Sequence, residues 1–448
     1  MPPQLALLLC TAFVLFLLRL ERKCSPDVSL ALWIPTLWML SAASKPIGVW
    51  LGGEGDMDSG SPMDRAFLIG LLCLGLAILA RRKFAWSAAF RDNTWLLLLL
   101  GYMFVSVAWS DIPFTSLKRW TRELVAVVMA FVVMTERDRR QAIESILRRS
   151  VYVLIPFSLL LIKYFPQLGR GYGRWSGGEM WLGVTMQKNG LGRLCLIAAF
   201  FLVWTLVRRW QGRDKPVSKY HTHVELFLLL LTLWLMKGPP GCYPATAVAA
   251  LVLGLAAFFG LLWMHQRQFS LAANTWVMVI VFVIAFGSVT PFVGGATVGG
   301  FSSVLGRDET LTGRTEIWAS LLPVVDRHPL LGAGVGGFWT SETRARYASE
   351  AHSGYLDVLL DLGFLGILLV AAFVISCCRK FHDALARDYD WASLCLCVLL
   401  MALLHNISES SIVSLTSHLT AIVLFLAVSV GPATQCDWQQ ELNPPFLR

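Results

Sequence analysis

The sequence predicts an all-α polytopic membrane protein of about 12–13 transmembrane helices, with one large extracytoplasmic loop containing short helices. Three observations predict it. Apolar residues make up 56% of the 448-residue chain and charged residues only 15%, with a mean hydropathy of +0.61. A soluble domain carries roughly 25% charged residues, so most of this surface meets lipid. Apolar runs of spanning length recur along the whole chain, and alternate connections between them are basic. The net charge of +9 does not indicate a nucleic-acid partner, because its sources lie in short clusters between apolar runs, where the positive-inside rule puts them.

A bilayer core of about 30 Å calls for about 20 apolar residues per helix. Segments that meet or approach this centre on 4–20, 28–47, 66–80, 95–109, 122–134, 151–165, 192–207, 224–237, 245–264, 272–290, 354–376, 391–404 and 411–429. The first resembles a signal-peptide core but lacks a basic start and a small-residue cleavage site, so it reads as a retained span. Arg81-Arg82-Lys83, the stretches 137–149 and 208–219, and Arg379-Lys380 belong in the cytoplasm. The acidic 52–64 loop, 166–191, the Gly-Pro-Pro-Gly turn at 238–241 and the long connection before 354 belong outside. The expected division is an N-terminal transmembrane region 1–290, an outer loop 291–353, C-terminal spans 354–429 and a cytoplasmic tail 430–448. The cysteines contain no C-x-x-C pair, and Cys10, Cys73, Cys195, Cys395 and Cys397 read as small apolar fillers.

Outer loops normally avoid cations, yet this outer side gathers Lys118, Arg119, Arg122, Arg170, Arg174, Lys188, Arg193, Arg307, Arg314, Arg327, Arg344 and Arg346. Arg122 and Arg193 fall at span ends, where an unpaired charge costs about 2.5–3.5 kcal/mol or more at depth. Such a cluster suits an anionic ligand approaching from the outer leaflet. Interfacial snorkelling, or pairing with Asp111, Glu123 and Glu179, is the alternative.

Within the outer loop, residues 310–322 read as a capped amphipathic helix with Thr312 or Thr315 as N-cap and Ile317, Trp318, Leu321 and Leu322 at helical spacing. Arg314 falls in or beside its first turn. A cation there opposes the helix dipole unless it and the backbone N–H groups together hold a diphosphate. Pairing with Glu316 or Asp308 is the other reading. His328-Pro329-Leu330-Leu331-Gly332-Ala333-Gly334 reads as a compact turn leading back to the membrane. The next span starts at Ala351-His352-Ser353-Gly354 with Ser353 as N-cap, which puts His352 at the mouth of a membrane helix. The helix N-terminus disfavours imidazolium, leaving a ring able to accept a proton, although Glu350 or Asp357 could oppose that. Asp361 lies one turn deeper, where pairing with an outer arginine is expected.

His352-Ser353, followed after nine residues by Gly363-Phe364-Leu365-Gly366, resembles the signature of the bacterial O-antigen ligase and polysaccharide polymerase family. Gly313-Arg314-Thr315-Glu316-Ile317-Trp318 and the 328–334 turn resemble the rest of that family's large loop. Gln187-Lys188-Asn189-Gly190-Leu191-Gly192 and Asn406-Ile407-Ser408-Glu409 resemble segments of its exopolysaccharide-polymerase branch. The resemblance, with a core at about 225–376, implies a GT-C-like fold in the bacterial inner (cytoplasmic) membrane and a site on the periplasmic side. The implied donor is a glycan on undecaprenyl diphosphate, and the acceptor is a hydroxyl of a glycan, lipid A core or other molecule. No cofactor, metal or nucleic acid is implied. His352 would serve as base or orienting group and Arg314, with Lys188, would hold the diphosphate, with Asn189, Asp361 and Glu409 in support. Arg193 and Arg122 compete for the place of the family's second arginine, and Arg327 is followed by glycines at shorter spacing than the family's pattern. The polymerase branch is the nearer of the two. Two rivals remain: a metal-dependent GT-C glycosyltransferase using Asp56 and Asp58, and a membrane transporter.

Overall fold

Backbone polar groups cannot be left unpaired in hydrocarbon, so a chain of this composition must fold its apolar runs into helices. The structure is a computed structural model that describes residues 1–52, 61–82, 84–172, 177–213, 220–293, 313–348 and 350–431. The first half holds α1 (Pro3–Cys24), α2 (Leu30–Ala42), α3 (Ile47–Trp50), α4 (Pro62–Arg81), α5 (Trp86–Asp92), α6 (Thr94–Trp109), α7 (Pro113–Met134), α8 (Arg139–Tyr164) and α9 (Pro166–Gly169). After the strands β1 (Arg170–Tyr172) and β2 (Glu179–Trp181) come α10 (Lys188–Trp210), α11 (His221–Lys237), α12 (Ala245–Gln266) and α13 (Ala273–Val293). The outer loop contributes α14 (Arg314–Val325) and α15 (Ser341–Arg346), and the chain closes with α16 (Gly354–Ala384), α17 (Tyr389–His405) and α18 (His418–Ser429).

Each of the apolar segments marked from sequence holds a helix, and the molecule is an all-α polytopic membrane protein. Among the described residues seven helices are long and apolar enough to cross a bilayer, and α5 with α6, bent by 85°, would add an eighth. Hydropathy alone does not show which helices face lipid. α8 is 83% buried over its apolar window and α4 only 17%, so α8 lies inside the bundle while α4 presents its leucines outward. The interior is formed by α7, α8, α10, α16, α17 and α18. α1 packs along α8, where its buried Glu21 meets Arg149 Nε at 2.8 Å. Buried polar pairs of this kind fix helix partners where lipid gives no hydrophobic drive to association.

Two expectations need correction. The helix in the outer loop is capped not by Thr315 but by Gly313 in the left-handed conformation (φ +83°), and Thr315 lies inside its first turn. Thr312 falls outside the described residues. The outer loop expected from residue 291 does not begin there, because α13 continues through Pro291 to Val293. Sequence reading also missed the small antiparallel hairpin of β1 and β2, which pairs Arg170 with Trp181.

The glycines of the family-like motifs have a structural explanation. Gly363 interrupts α16 at φ +64° and ψ −166°, a region open essentially only to glycine. Into this break docks the 328–334 turn. Phe364 N donates to Pro329 O (2.8 Å), Leu365 N to Leu330 O (3.2 Å) and Ala333 N to Leu360 O (2.9 Å). Tyr102 closes the joint by donating to Leu362 O at 2.8 Å. A Cβ on Gly363 would collide with the Leu330 backbone. Gly363→Ala should therefore lower stability by more than about 1 kcal/mol. Thermal melting in detergent checks this, and an unchanged midpoint would mean that the turn does not hold the break.

Candidate active site

The site is assembled where four segments far apart in sequence meet. Ser353 caps α16 by accepting from Leu356 N at 3.4 Å, as its residue type predicts. His352 therefore stands just before the helix, and it does so at φ +52°. Left-handed backbone is uncommon for a residue other than glycine and clusters at functional positions. Its Nδ1 lies 3.2 Å from Glu350 Oε1, without the alignment of a full hydrogen bond. The acidic partner considered from sequence is thus Glu350, while Asp357 accepts from Trp339 Nε1 at 2.7 Å.

The turn between α17 and α18 faces His352. Asn406 shapes it, its side-chain oxygen accepting from Ser411 N (2.9 Å) and Ile412 N (2.8 Å) and its amide donating to Ala402 O (2.7 Å). Gly354 N donates to the carbonyls of Asn406 (2.9 Å) and Glu409 (3.0 Å), which ties the turn to the start of α16. This places Glu409, 2% exposed, at the centre of the site. Its Oε1 accepts from Asn189 Nδ2 at 2.6 Å and from an Arg314 guanidinium nitrogen. Arg193, one turn after Asn189 on α10, donates to Ser410 O at 2.9 Å. Glu350, His352 and Glu409 each present a ligand atom within 4.8 Å of the others.

The charges balance locally. Burial by itself would raise the Glu409 carboxyl, but Arg314, His405, His352 and Arg193 hold it below its ordinary value. Burial raises the carboxyl of Glu350, only partly countered by His352 and the two arginines. The lowered Glu409 value carries a sign for stability. Its contribution is complete above the ordinary value of 4.5 and is lost as pH falls from there through the folded value. Acid melting curves should show this loss in the wild type and less of it in Glu409→Gln. Identical curves would remove Glu409 from the account.

Two carboxylates and an imidazole so close together have the donor set of a divalent cation site. Here Glu409 Oε1 is already engaged by Asn189 and Arg314, and the two guanidiniums offset the two carboxylates. A cation bound through that oxygen would compete with both, and one bound through Oε2 would still sit beside the Arg314 guanidinium. The same cations suit an anion arriving from outside the cluster.

Beside the cluster opens a cavity of about 470 Å³ whose lining includes Arg193, Arg344, Glu350, Asp357, Trp339 and Ser410. This volume lies within the roughly 300–1,000 Å³ of small-ligand sites. His352, Arg314, Asn189 and Glu409 are not part of that lining, and His352 meets it through its 3.2 Å contact with Glu350. The structure thus brings together His352, Arg314, Arg193, Asn189 and Glu409. Lys188 opens α10 next to Asn189, half-buried. Arg122, on α7, is outside the cavity lining, and the neighbouring Glu123 accepts from the Ser414 hydroxyl at 2.9 Å and from Leu415 N at 2.5 Å. Asp361 takes the N–H of Phe338 at 3.2 Å and so pins the outer loop to α16, with Arg119 and Arg344 in electrostatic reach. Asp56 and Asp58 lie outside the described residues. Among the residues not singled out as site groups from sequence are Ser410 and Trp339. Glu350, two positions before a helix-end histidine, carried the one legible signal.

Residues 180–371 match the family model described as O-Antigen ligase. The chain is also similar to the exopolysaccharide production protein ExoQ of Rhizobium meliloti (strain 1021), at 24% identity over 343 residues, which cover 72% of this chain and 73% of that protein. The matched family stretch contains Asn189, Arg193, Arg314 and His352 and ends before Glu409.

Proposed function

From the O-antigen ligase and polysaccharide polymerase family that both matches support, we propose that this protein moves a glycan from undecaprenyl diphosphate to an acceptor hydroxyl outside the bacterial cytoplasmic membrane. At the coarser level it is an integral membrane protein of cell-surface polysaccharide biosynthesis, of glycosyltransferase type. One observation carries the finer reading: two guanidiniums and a helix-end imidazole, from three distant segments, converge beside a cavity.

The chemistry follows from that arrangement. An acceptor oxygen attacks the anomeric carbon, its bond to the diphosphate oxygen breaks, and undecaprenyl diphosphate leaves with the bonding pair. Arg314 has five donor hydrogens and spends part of them on Glu409, which orients the rest towards the diphosphate. Arg193 supplies the second positive charge. Fixed cations aimed at developing charge are usually the largest catalytic contribution. Glu350 stands at the Nδ1 side of His352, which leaves Nε2 to take the acceptor proton. This reaction needs no metal, so transfer should persist in EDTA, the opposite of what the metal-dependent rival requires.

The similarity to an exopolysaccharide production protein favours a growing glycan chain as acceptor over lipid A core. The glycan profile of a deletion strain tests the reading. Single repeat units left unpolymerised are expected. Full-length chains stranded on the lipid carrier would instead make the protein a ligase, and an unaltered profile rules out both.

A further inference from the structure

A second cavity, of about 350 Å³, lies at the other end of the bundle, and the proposed reaction has no use for it. Its walls come from the end of α1, the connection into α8 and the first turns of that helix, the end of α10 and the start of α11. Arg193 and Arg208 are fifteen residues apart on α10, about 22 Å of helix rise, which separates the two cavities by most of a bilayer's thickness.

Four guanidiniums, Arg140, Arg148, Arg208 and Arg209, line it against two carboxylates, Asp138 and Glu144. The arginines are held from behind. Buried Glu225 takes Arg148 Nε at 3.3 Å and Arg209 Nη1 at 2.6 Å. Glu144 takes Arg140 Nε at 2.8 Å and Arg208 Nη1 at 3.3 Å. Asp388 and Asp390 steady Arg140 and Arg208 from the far side. These pairs fix the guanidinium planes without using all of their donors. Among the described residues, Nε of Arg208 and Nε of Arg209 are buried with no hydrogen-bond partner. Asp390 is 4.0 Å from the first of them, beyond hydrogen-bond reach. The Arg209 side chain is only 6% exposed. Both Nε atoms are closed off within the packing, Arg208 lying over the Trp204 ring at 4.5 Å, so the donors open to a ligand are the guanidinium nitrogens of these lining arginines that no carboxylate takes.

The depth of the cavity indicates where such a ligand comes from. Trp210 and Tyr220, at the ends of the same two helices, are 88% and 57% exposed. Exposed Trp and Tyr at span ends mark the headgroup level of a bilayer. Guanidinium forks match phosphate oxygens in pairs, and basic pockets between helices at this level suit anionic headgroups. We propose that this cavity binds the phosphate group of an anionic phospholipid. The proposal does not depend on the transferase reading of the opposite face.

Delipidated full-length protein in detergent, titrated with short-chain phosphatidylglycerol, phosphatidylcholine and inorganic pyrophosphate, tests it. Saturable binding of phosphatidylglycerol alone is expected, with affinity at least tenfold weaker in Arg208→Gln. Arg140→Gln, at the more exposed rim, should weaken it as well and serves if Arg208→Gln does not fold. Pyrophosphate binding as tightly as the lipid would overturn the headgroup assignment in favour of a soluble anion. Phosphatidylglycerol binding that neither substitution changes would overturn the site.

Discussion

Replacing His352 by alanine should abolish glycan transfer, with a turnover lower by about 10²–10⁴-fold, the usual contribution of a positioned base. The protein should still insert and melt near the wild-type temperature. The ring is a quarter exposed, and the cap of α16 belongs to Ser353 rather than to His352. Backbone strain is the one structural effect that could confuse the result, since His352 sits at φ +52°. His352→Asn controls for it, because asparagine tolerates this conformation and offers no base. Both variants should be inactive to the same degree. Transfer at the wild-type rate in membranes carrying His352→Asn would end the general-base assignment.

Arg314→Ala should remove activity and also destabilise the protein, and the two effects can be separated. Arg314 and Glu409 are 7% and 3% exposed at their side chains, so loss of the arginine leaves a buried carboxylate facing Glu350. Breaking one side of a buried ion pair costs about 3–5 kcal/mol. Glu409→Gln removes the offending charge, so the double variant should recover part of the lost stability. It should not recover transfer, because Arg193 alone then meets the leaving diphosphate. A double variant as active as Glu409→Gln alone would reduce Arg314 to a structural partner. The measurements are melting in detergent and product formation from a lipid-linked donor.

Much of this was legible in the sequence, for identifiable reasons. Helices in a bilayer must satisfy their own backbone, so apolar length alone located α1, α8, α10 and α16. A serine ahead of an apolar run is a local cap signal, and the structure places Ser353 in that role. Arg314 and His352 could be singled out as a cation in a helix's first turn and an imidazole at a helix mouth, while Asn189 and Glu409 were marked only by the resemblance of their segments to the family. The choice between Arg193 and Arg122 was not legible, because both sit at span ends. Only the packing of α10 against the 406–417 turn puts Arg193 on Ser410.

The sequence by itself determined that this chain is a polytopic membrane protein, where its apolar helices lie, and which side chains are costly at their positions. These are properties of a residue and its near neighbours, set by transfer from water to hydrocarbon. Tertiary structure alone decided that Glu409 gathers Arg314 and Asn189 on one oxygen, that Glu350 backs His352, and that a turn thirty residues upstream fills the break at Gly363. Those contacts join segments up to 220 positions apart. Their geometry depends on how helices pack, which no local pattern encodes.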